Sequence, residues 1–172
     1  MALNNLSKIH AMSFVKLFLL AFVAVIVSGI INGAFEEGLI LLVLIGPVTE
    51  ELAKTAVIMI GRKNGPKMTT KIGLVVGLGF GVFEAVLNNP LIIFQRLFTT
   101  IPLQTATGGI DGFAVGSKRY WFIVVAIALH SSYNAISSDG FPLPLPLGIL
   151  LAYIPLFWIY HYLKTPRDQI GT

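Results

Sequence analysis

The strongest constraint on this chain is a succession of long apolar stretches that leaves little sequence for anything else. Runs at about residues 13–31, 39–60, 72–94, 120–137 and 143–163 approach the roughly 20 residues with which a helix crosses ~30 Å of hydrocarbon. Of the 172 residues, 55% are hydrophobic and only 12% charged, and the mean hydropathy of +0.82 lies beyond the usual range of water-soluble domains. In lipid every backbone polar group must be satisfied within the protein, which such runs achieve as helices. The expected fold class is therefore all-α, a polytopic membrane protein forming a single transmembrane domain over residues 1–172 in the lipid bilayer.

The first run exceeds the ~7–15 apolar residues of a signal-peptide core, and Asn32-Gly33-Ala34 is a poor small-x-small cleavage site, so it is expected to be a retained helix. A weaker segment, 98–116, carries Gln104, Thr105, Thr107, Asp111 and four glycines. Charge placement favours counting it as a helix. With six spans, Lys8, Lys16, Arg62, Lys63, Lys67, Lys71, Lys118, Arg119, Lys164 and Arg167 share one side and Arg96 alone takes the other, whereas five spans would split the basic loops. A bundle of about six transmembrane helices with both termini cytoplasmic follows. Glu36, Glu37 and Asp139 then fall outside. So does Phe141-Pro-Leu-Pro-Leu-Pro146, whose alternating prolines suggest an extended lead-in to the last helix. The formal charge of +4 reads as topology rather than as a nucleic-acid surface. Trp121, Trp158, Tyr160 and Tyr162 stand near helix ends, as interfacial aromatics do.

Ionisable side chains within a span are costly, so each is a functional hypothesis by default. Glu50 and Glu51 fall near the middle of the second run, Glu84 past the middle of the third and His130 near the middle of the fifth. At about 1.5 Å of rise per residue, Glu50, Glu84 and His130 come to nearly one depth. Asn88 and Asn134 lie one turn further toward the external side, and Gln104 is in the external half, so the polar cavity is expected to open outward. Lys54 stands four residues after Glu50 and three after Glu51, within pairing reach of either. It cannot neutralise Glu50, Glu51 and Glu84 together, so at least one carboxyl is expected to hold a proton, which suits acid and base work. Pro47 should kink the second helix just before the glutamates, and Gly73, Gly77, Gly79 and Gly81 should allow close helix approach near Glu84.

Several chemistries are excluded by residue type. There is no cysteine, hence no disulfide, thiolate zinc site or cysteine nucleophile. Zinc hydrolysis of the His-Glu-x-x-His kind needs two histidines, and only His130 lies in the bundle, so no metal and no other cofactor is expected. An aspartyl pair needs a second membrane aspartate beside Asp111. Ser131 and Ser132 are sequence neighbours of His130 and face elsewhere on its helix. A glutamate-based site remains. A structural role stays open for each residue: a Glu–Lys54 ion pair inside the bundle, and interhelical hydrogen bonds for Glu84, Gln104, Asp111, His130 and Asn134.

Three short motifs carry a family resemblance. Glu50-Glu-Leu-Ala-Lys54, Phe80-Gly-Val-Phe-Glu84 and His130-Ser-Ser-Tyr-Asn134 resemble the Glu-Glu-x-x-Lys, Phe-x-x-x-Glu and His-x-x-x-Asn/Asp motifs of the PrsW family of glutamic-type intramembrane proteases, relatives of the CAAX prenyl proteases. The resemblance implies packed transmembrane helices that hydrolyse a peptide bond of a membrane-anchored protein substrate. It implies Glu50 as general base, Glu51 and Glu84 as supporting carboxylates, and His130 with Asn134 as oxyanion donors. Lys54, Asn88 and Gln104 would support them. Two positions depart from the family pattern: Gln104 stands where many members have histidine, and Asp111 where an apolar residue is usual. A substrate-binding relative without catalysis, and a proton-coupled transporter built on the same intramembrane carboxylates, are the alternative functions.

Overall fold

The structure, a computed structural model, describes residues 2–35, 38–62, 65–88, 93–138 and 144–165, with side chains from residue 14 onward. Glu36, Glu37, Lys63, Asp139, Phe141 and Arg167 lie outside the described residues, as do the side chains of Lys8, His10 and Asn88. The chain is all-helical, with no strand among the described residues. Helix α1 spans Ala2–Asn32. A π-helical turn, Leu41–Ile45, runs into α2, Gly46–Gly61. Then come α3, Pro66–Asn88, a short α4, Ile93–Phe98, α5, Thr100–Ser117, α6, Trp121–Ser138, and α7, Pro144–Lys164.

Among the described residues, three segments are long and apolar enough to cross a membrane: Phe14–Asn32, Pro66–Leu87 and Pro146–Lys164. Their outward faces carry large apolar side chains such as Val15, Val23 and Ile30 on α1 and Ile154 and Phe157 on α7, as lipid contact requires. Helix α5, one of the less apolar helices, is the most enclosed. From Leu103 to Val115 every residue except Thr105 is buried, and α2, α3, α4, α6 and α7 all pack on it. Its glutamine, threonines and aspartate find neighbours there, and its glycines let those neighbours come close.

The α3–α5 seam is backbone against backbone. A Cβ added to Gly108 would stand 2.5 Å from the Gly73 carbonyl oxygen, and one added to Gly112 would stand 2.5 Å from that of Thr69. Small residues at such crossings replace side-chain interdigitation with direct main-chain contact. On the other side of α3, Gly79 receives Phe18 and Ala21 of α1. Leu17, Ala21, Ile58, Val76 and Phe80 join α1, α2 and α3 in one apolar core.

One end of the bundle collects basic groups. Lys67 donates to the Leu163 carbonyl at 3.3 Å and to that of Thr165, closing the C-terminus of α7. Lys118 ends α5 in the left-handed region, φ 59°, with its own N–H and that of Arg119 both directed at the Ala114 carbonyl. Arg62, Lys71, Lys118 and Arg119 are exposed at this end.

Several boundaries differ from the sequence expectation, among them the start of α1, which lies at Ala2. The third helix runs from Pro66 to Asn88 instead of over 72–94, and Ile93–Phe98 is a separate short helix. Proline is favoured at a first helical position, which draws the start back to Pro66, and the sequence proline at 90 cannot supply the N–H that a continuing helix needs. The Pro144–Pro146 stretch, expected to be extended, is the first turn of α7. There a missing N–H loses no intrahelical partner.

A branched side chain in the glycine seam has no room. Gly108→Val is expected to lower stability by at least about 1–3 kcal/mol, the range for overpacking, measured by thermal unfolding in detergent. Gly29→Ala, where an added Cβ meets nothing within 4 Å, should leave the melting temperature unchanged or slightly raised.

Candidate active site

Glu50 and Glu51 are consecutive on α2, so they project about 100° apart around the helix and meet different surroundings. Glu51 is completely buried. Its Oε1 takes hydrogen bonds from Lys54 Nζ at 2.7 Å and from His130 Nδ1 at 2.7 Å. Glu50 keeps 17% of its side chain exposed and faces a cavity, with its Oε2 3.7 Å from His130 Nε2. The two ring nitrogens of His130 thus address the two glutamates, Nδ1 the buried one and Nε2 the open one.

Gln104 on α5 ties the remaining carboxylate to this pair. Its Nε2 donates to Glu50 Oε2 at 3.1 Å and to Glu84 Oε2 at 2.7 Å, while its Oε1 accepts from Lys54 at 2.5 Å. The surroundings fix the amide's orientation, since a flip would turn the NH2 toward an ammonium and the carbonyl toward two carboxylates. Lys54 completes its three donations on Thr107 Oγ1 at 2.7 Å. Its Nζ also stands 5.3 Å from the centre of the Phe80 ring. The ammonium is wholly buried, which is tolerable because every proton has an acceptor.

The cavity over Glu50 has a volume of about 340 Å³ and is lined by Glu84, Arg96, Thr99, Thr100, His130, Tyr133 and Asn134 among others. Arg96, from α4, approaches Glu84 Oε1 to 3.5 Å. Tyr133 OH bonds to Thr99 Oγ1 at 3.0 Å and lies 3.1 Å from Thr100 Oγ1, joining α6 to the start of α5. Together with Arg96 of α4, these lining residues come from the start of α2 and α5, the end of α3 and the second half of α6, the end of the bundle opposite Lys67 and Lys118.

The π-helical turn beside the cavity has a local cause. In its i→i+5 register the Gly46 N–H bonds to the Leu41 carbonyl. The next carbonyl, that of Leu42, would need an N–H from residue 47, which is proline. Asn134 supplies the missing donor, its Nδ2 bonding to the Leu42 carbonyl at 2.8 Å. Pro47 therefore produces a change of helical register, and a side chain from α6 satisfies the carbonyl it leaves. Thr49 adds a bond to Asn32 Oδ1 at 2.6 Å, holding the end of α1 against α2. A second cavity, about 450 Å³, opens between these parts and shares Leu42, Glu50 and Asn134 with the first.

The structure thus brings Glu50, Glu51, Lys54, Glu84, Gln104, His130 and Asn134 to one place, while the side chain of Asn88 lies outside the described residues. Thr99, Thr100, Thr107 and Tyr133 join the site without having been singled out in the sequence. Tyr133 stands three residues after His130 and Thr107 three after Gln104, spacings that share a helix face, and this was the available signal. Asp111 lies buried against Glu51 and Thr55, behind the cavity wall. No family model matches the chain, and comparison with curated proteins and with solved structures gives no significant match.

Among the described residues, Lys54 is the only cation touching Glu51 besides the histidine. Removing it in Lys54→Met strands a buried carboxylate and should destabilise by about 3–5 kcal/mol. Adding Glu51→Gln in the same protein should recover a large part of that loss, as a double-mutant cycle by thermal unfolding in detergent will read.

Proposed function

We propose that the protein is an intramembrane protease in which Glu50 activates water, independently of any metal, to hydrolyse a peptide bond of a membrane-anchored protein. The observation that carries this reading is the pair Glu50 Oε2 and His130 Nε2, 3.7 Å apart at a cavity wall, with the other ring nitrogen pinned to buried Glu51. A carboxylate base beside an oriented imidazole is the equipment of water-mediated acyl transfer. Water adds to the peptide carbonyl carbon as Glu50 takes its proton. His130, protonated at Nε2, donates to the developing oxyanion. The C–N bond then breaks as Glu50 returns the proton to the leaving amine. Glu84 and Gln104 hold Glu50 in place, and Glu51 orients the histidine.

The three motifs resembling those of the PrsW family supply residues to this one site, which is the second support for the reading. The setting proposed is a six-span bundle in a prokaryotic plasma membrane with both termini cytoplasmic. The cavity then opens on the external face, opposite the basic end of the bundle, in keeping with the positive-inside tendency. A role in regulated signalling, through release of a membrane-held regulator, follows by analogy with the family alone.

A second reading, capture of a membrane substrate without cleavage, is favoured by Gln104: its amide is fully engaged with Glu50, Glu84 and Lys54 and relays no proton where the family's histidine would. The two readings separate in one assay, cleavage of single-span membrane substrates by purified protein in detergent with excess chelator. The protease reading expects products with chelator present and a loss of at least about 100-fold in Glu50→Gln and in His130→Ala. Parent-level cleavage by either variant, or abolition by the chelator, overturns it. Binding without products, with cleavage gained in Gln104→His, identifies the capture reading.

A further inference from the structure

Behind the cavity wall, where α2 meets α5, four buried oxygens have no hydrogen-bond partner: Glu51 Oε2, Thr55 Oγ1, and Asp111 Oδ1 and Oδ2. They form one cluster, because Asp111 lies against both Glu51 and Thr55. Glu51 and Asp111 are 0% exposed and Thr55 is 4% exposed, so water does not satisfy them from outside. The neighbouring donors are already engaged. Lys54 has three protons and three acceptors in Glu51 Oε1, Gln104 Oε1 and Thr107 Oγ1, and the described contact of His130 Nδ1 is also with Glu51 Oε1. Thr55 can donate one bond. Three carboxylate oxygens without a donor therefore belong to two neighbouring buried groups, with a single hydroxyl hydrogen among them, an arrangement that two ionised groups cannot hold in a dry interior.

One proton resolves it. We propose that Asp111 is a neutral carboxylic acid whose O–H donates to Glu51 Oε2, making it a positioning residue for the histidine of the site. The proton belongs on Asp111 because Glu51 already accepts from the Lys54 ammonium and from His130 on its other oxygen, contacts that suit the anion. An O–H···O⁻ bond between two carboxyl groups is short and strong, and it replaces a repulsion with an attraction. The terminal torsion of a glutamate is broad and intrinsically soft. With Oε1 held by Lys54 and His130 and Oε2 held by Asp111, the Glu51 carboxyl has no freedom to rotate. His130 is then fixed with Nδ1 inward and Nε2 at the cavity. The charged and titratable groups facing the pair are Glu50 and Lys54 on α2 and His130 on α6, and of these only Lys54 is permanently cationic.

The protonation rests on the buried geometry alone, whereas the positioning role rests on the protease reading, and two measurements keep them apart. The first is infrared spectroscopy of the full-length protein in detergent at neutral pH, parent against Asp111→Asn. The expected result is a protonated-carboxyl C=O band in the parent that the variant lacks and that is the same in sodium-free and sodium-containing buffer. No difference between parent and variant overturns the proposal whether or not the protein cleaves anything, and a band abolished by sodium overturns it in favour of a cation bound by the same oxygens. The second is the cleavage assay. Asp111→Leu should lower kcat about 10–100-fold, as loss of an orienting partner does, with KM little changed, and Asp111→Asn, whose amide donates the same bond, should restore it. Equal kcat in the two variants overturns the positioning role while leaving the infrared result to stand on its own.

Discussion

The Lys54 ammonium is the interaction on which the site is assembled. It is a full charge with no exposed surface, tolerated only because Glu51, Gln104 and Thr107 accept its three protons. Two of those acceptors stand on α5, so the charge joins α2 to the central helix more specifically than apolar packing can in a lipid setting, where exclusion of water gives helices no reason to associate. Each acceptor also serves a second group. Glu51 holds His130, and Gln104 holds Glu50 and Glu84. From one cation, hydrogen bonds reach Glu50, Glu84 and His130 at the cavity, and so α3 and α6 as well as α2 and α5. The glycine seam is the steric counterpart: α3 approaches α5 closely enough at Gly77 for Glu84, two turns further on, to meet Gln104.

Pro47 acts on the same helix by the opposite principle, the absence of a donor. The lost N–H is accommodated as a π turn, which displaces Leu41–Ile45 relative to the glutamates and leaves the Leu42 carbonyl for Asn134. Asn134 is therefore engaged with the backbone of the turn as well as lining the cavity. Because Leu42, Glu50 and Asn134 border both cavities, this single side-chain bond stands in the partition between them. A π turn next to a reactive group is a frequent association in proteins, and here its cause lies in the dipeptide Gly46-Pro47.

What the sequence disclosed depended on how local the cause was. The helices follow from apolar length, and the shared depth of Glu50, Glu84 and His130 follows from counting rise along each helix, a quantity that accumulates within one element. Lys54 with Glu51 is legible for the same reason, three residues being one turn. Less legible were the contacts between elements far apart in sequence. Nothing near Gln104 indicates that its partners are 20 and 54 residues away, or that a helix of weak hydropathy is the one at the centre of the bundle. Hydropathy measures preference for lipid, and a helix surrounded by other helices is released from that preference. The register change at Pro47 was foreseen only as a kink, since whether a helix bends or shifts to a π turn depends on whether a neighbour can satisfy the stranded carbonyl.

The adjacent glutamates show why the doublet is needed at all. A single carboxylate at this depth could hold the histidine or face the cavity, but its two oxygens point too nearly the same way to do both. Consecutive helix positions differ by about 100°, so Glu51 turns toward Lys54, His130 and Asp111 while Glu50 turns toward the open space. The buried member is surrounded by donors that favour a fixed anion. The less buried member accepts from the Gln104 amide and stands 3.7 Å from a histidine nitrogen, the setting that its proposed role as a base requires. One helical step separates the group that holds the site rigid from the group proposed to react, and Glu51, by gripping His130, transmits that rigidity to the partner of Glu50.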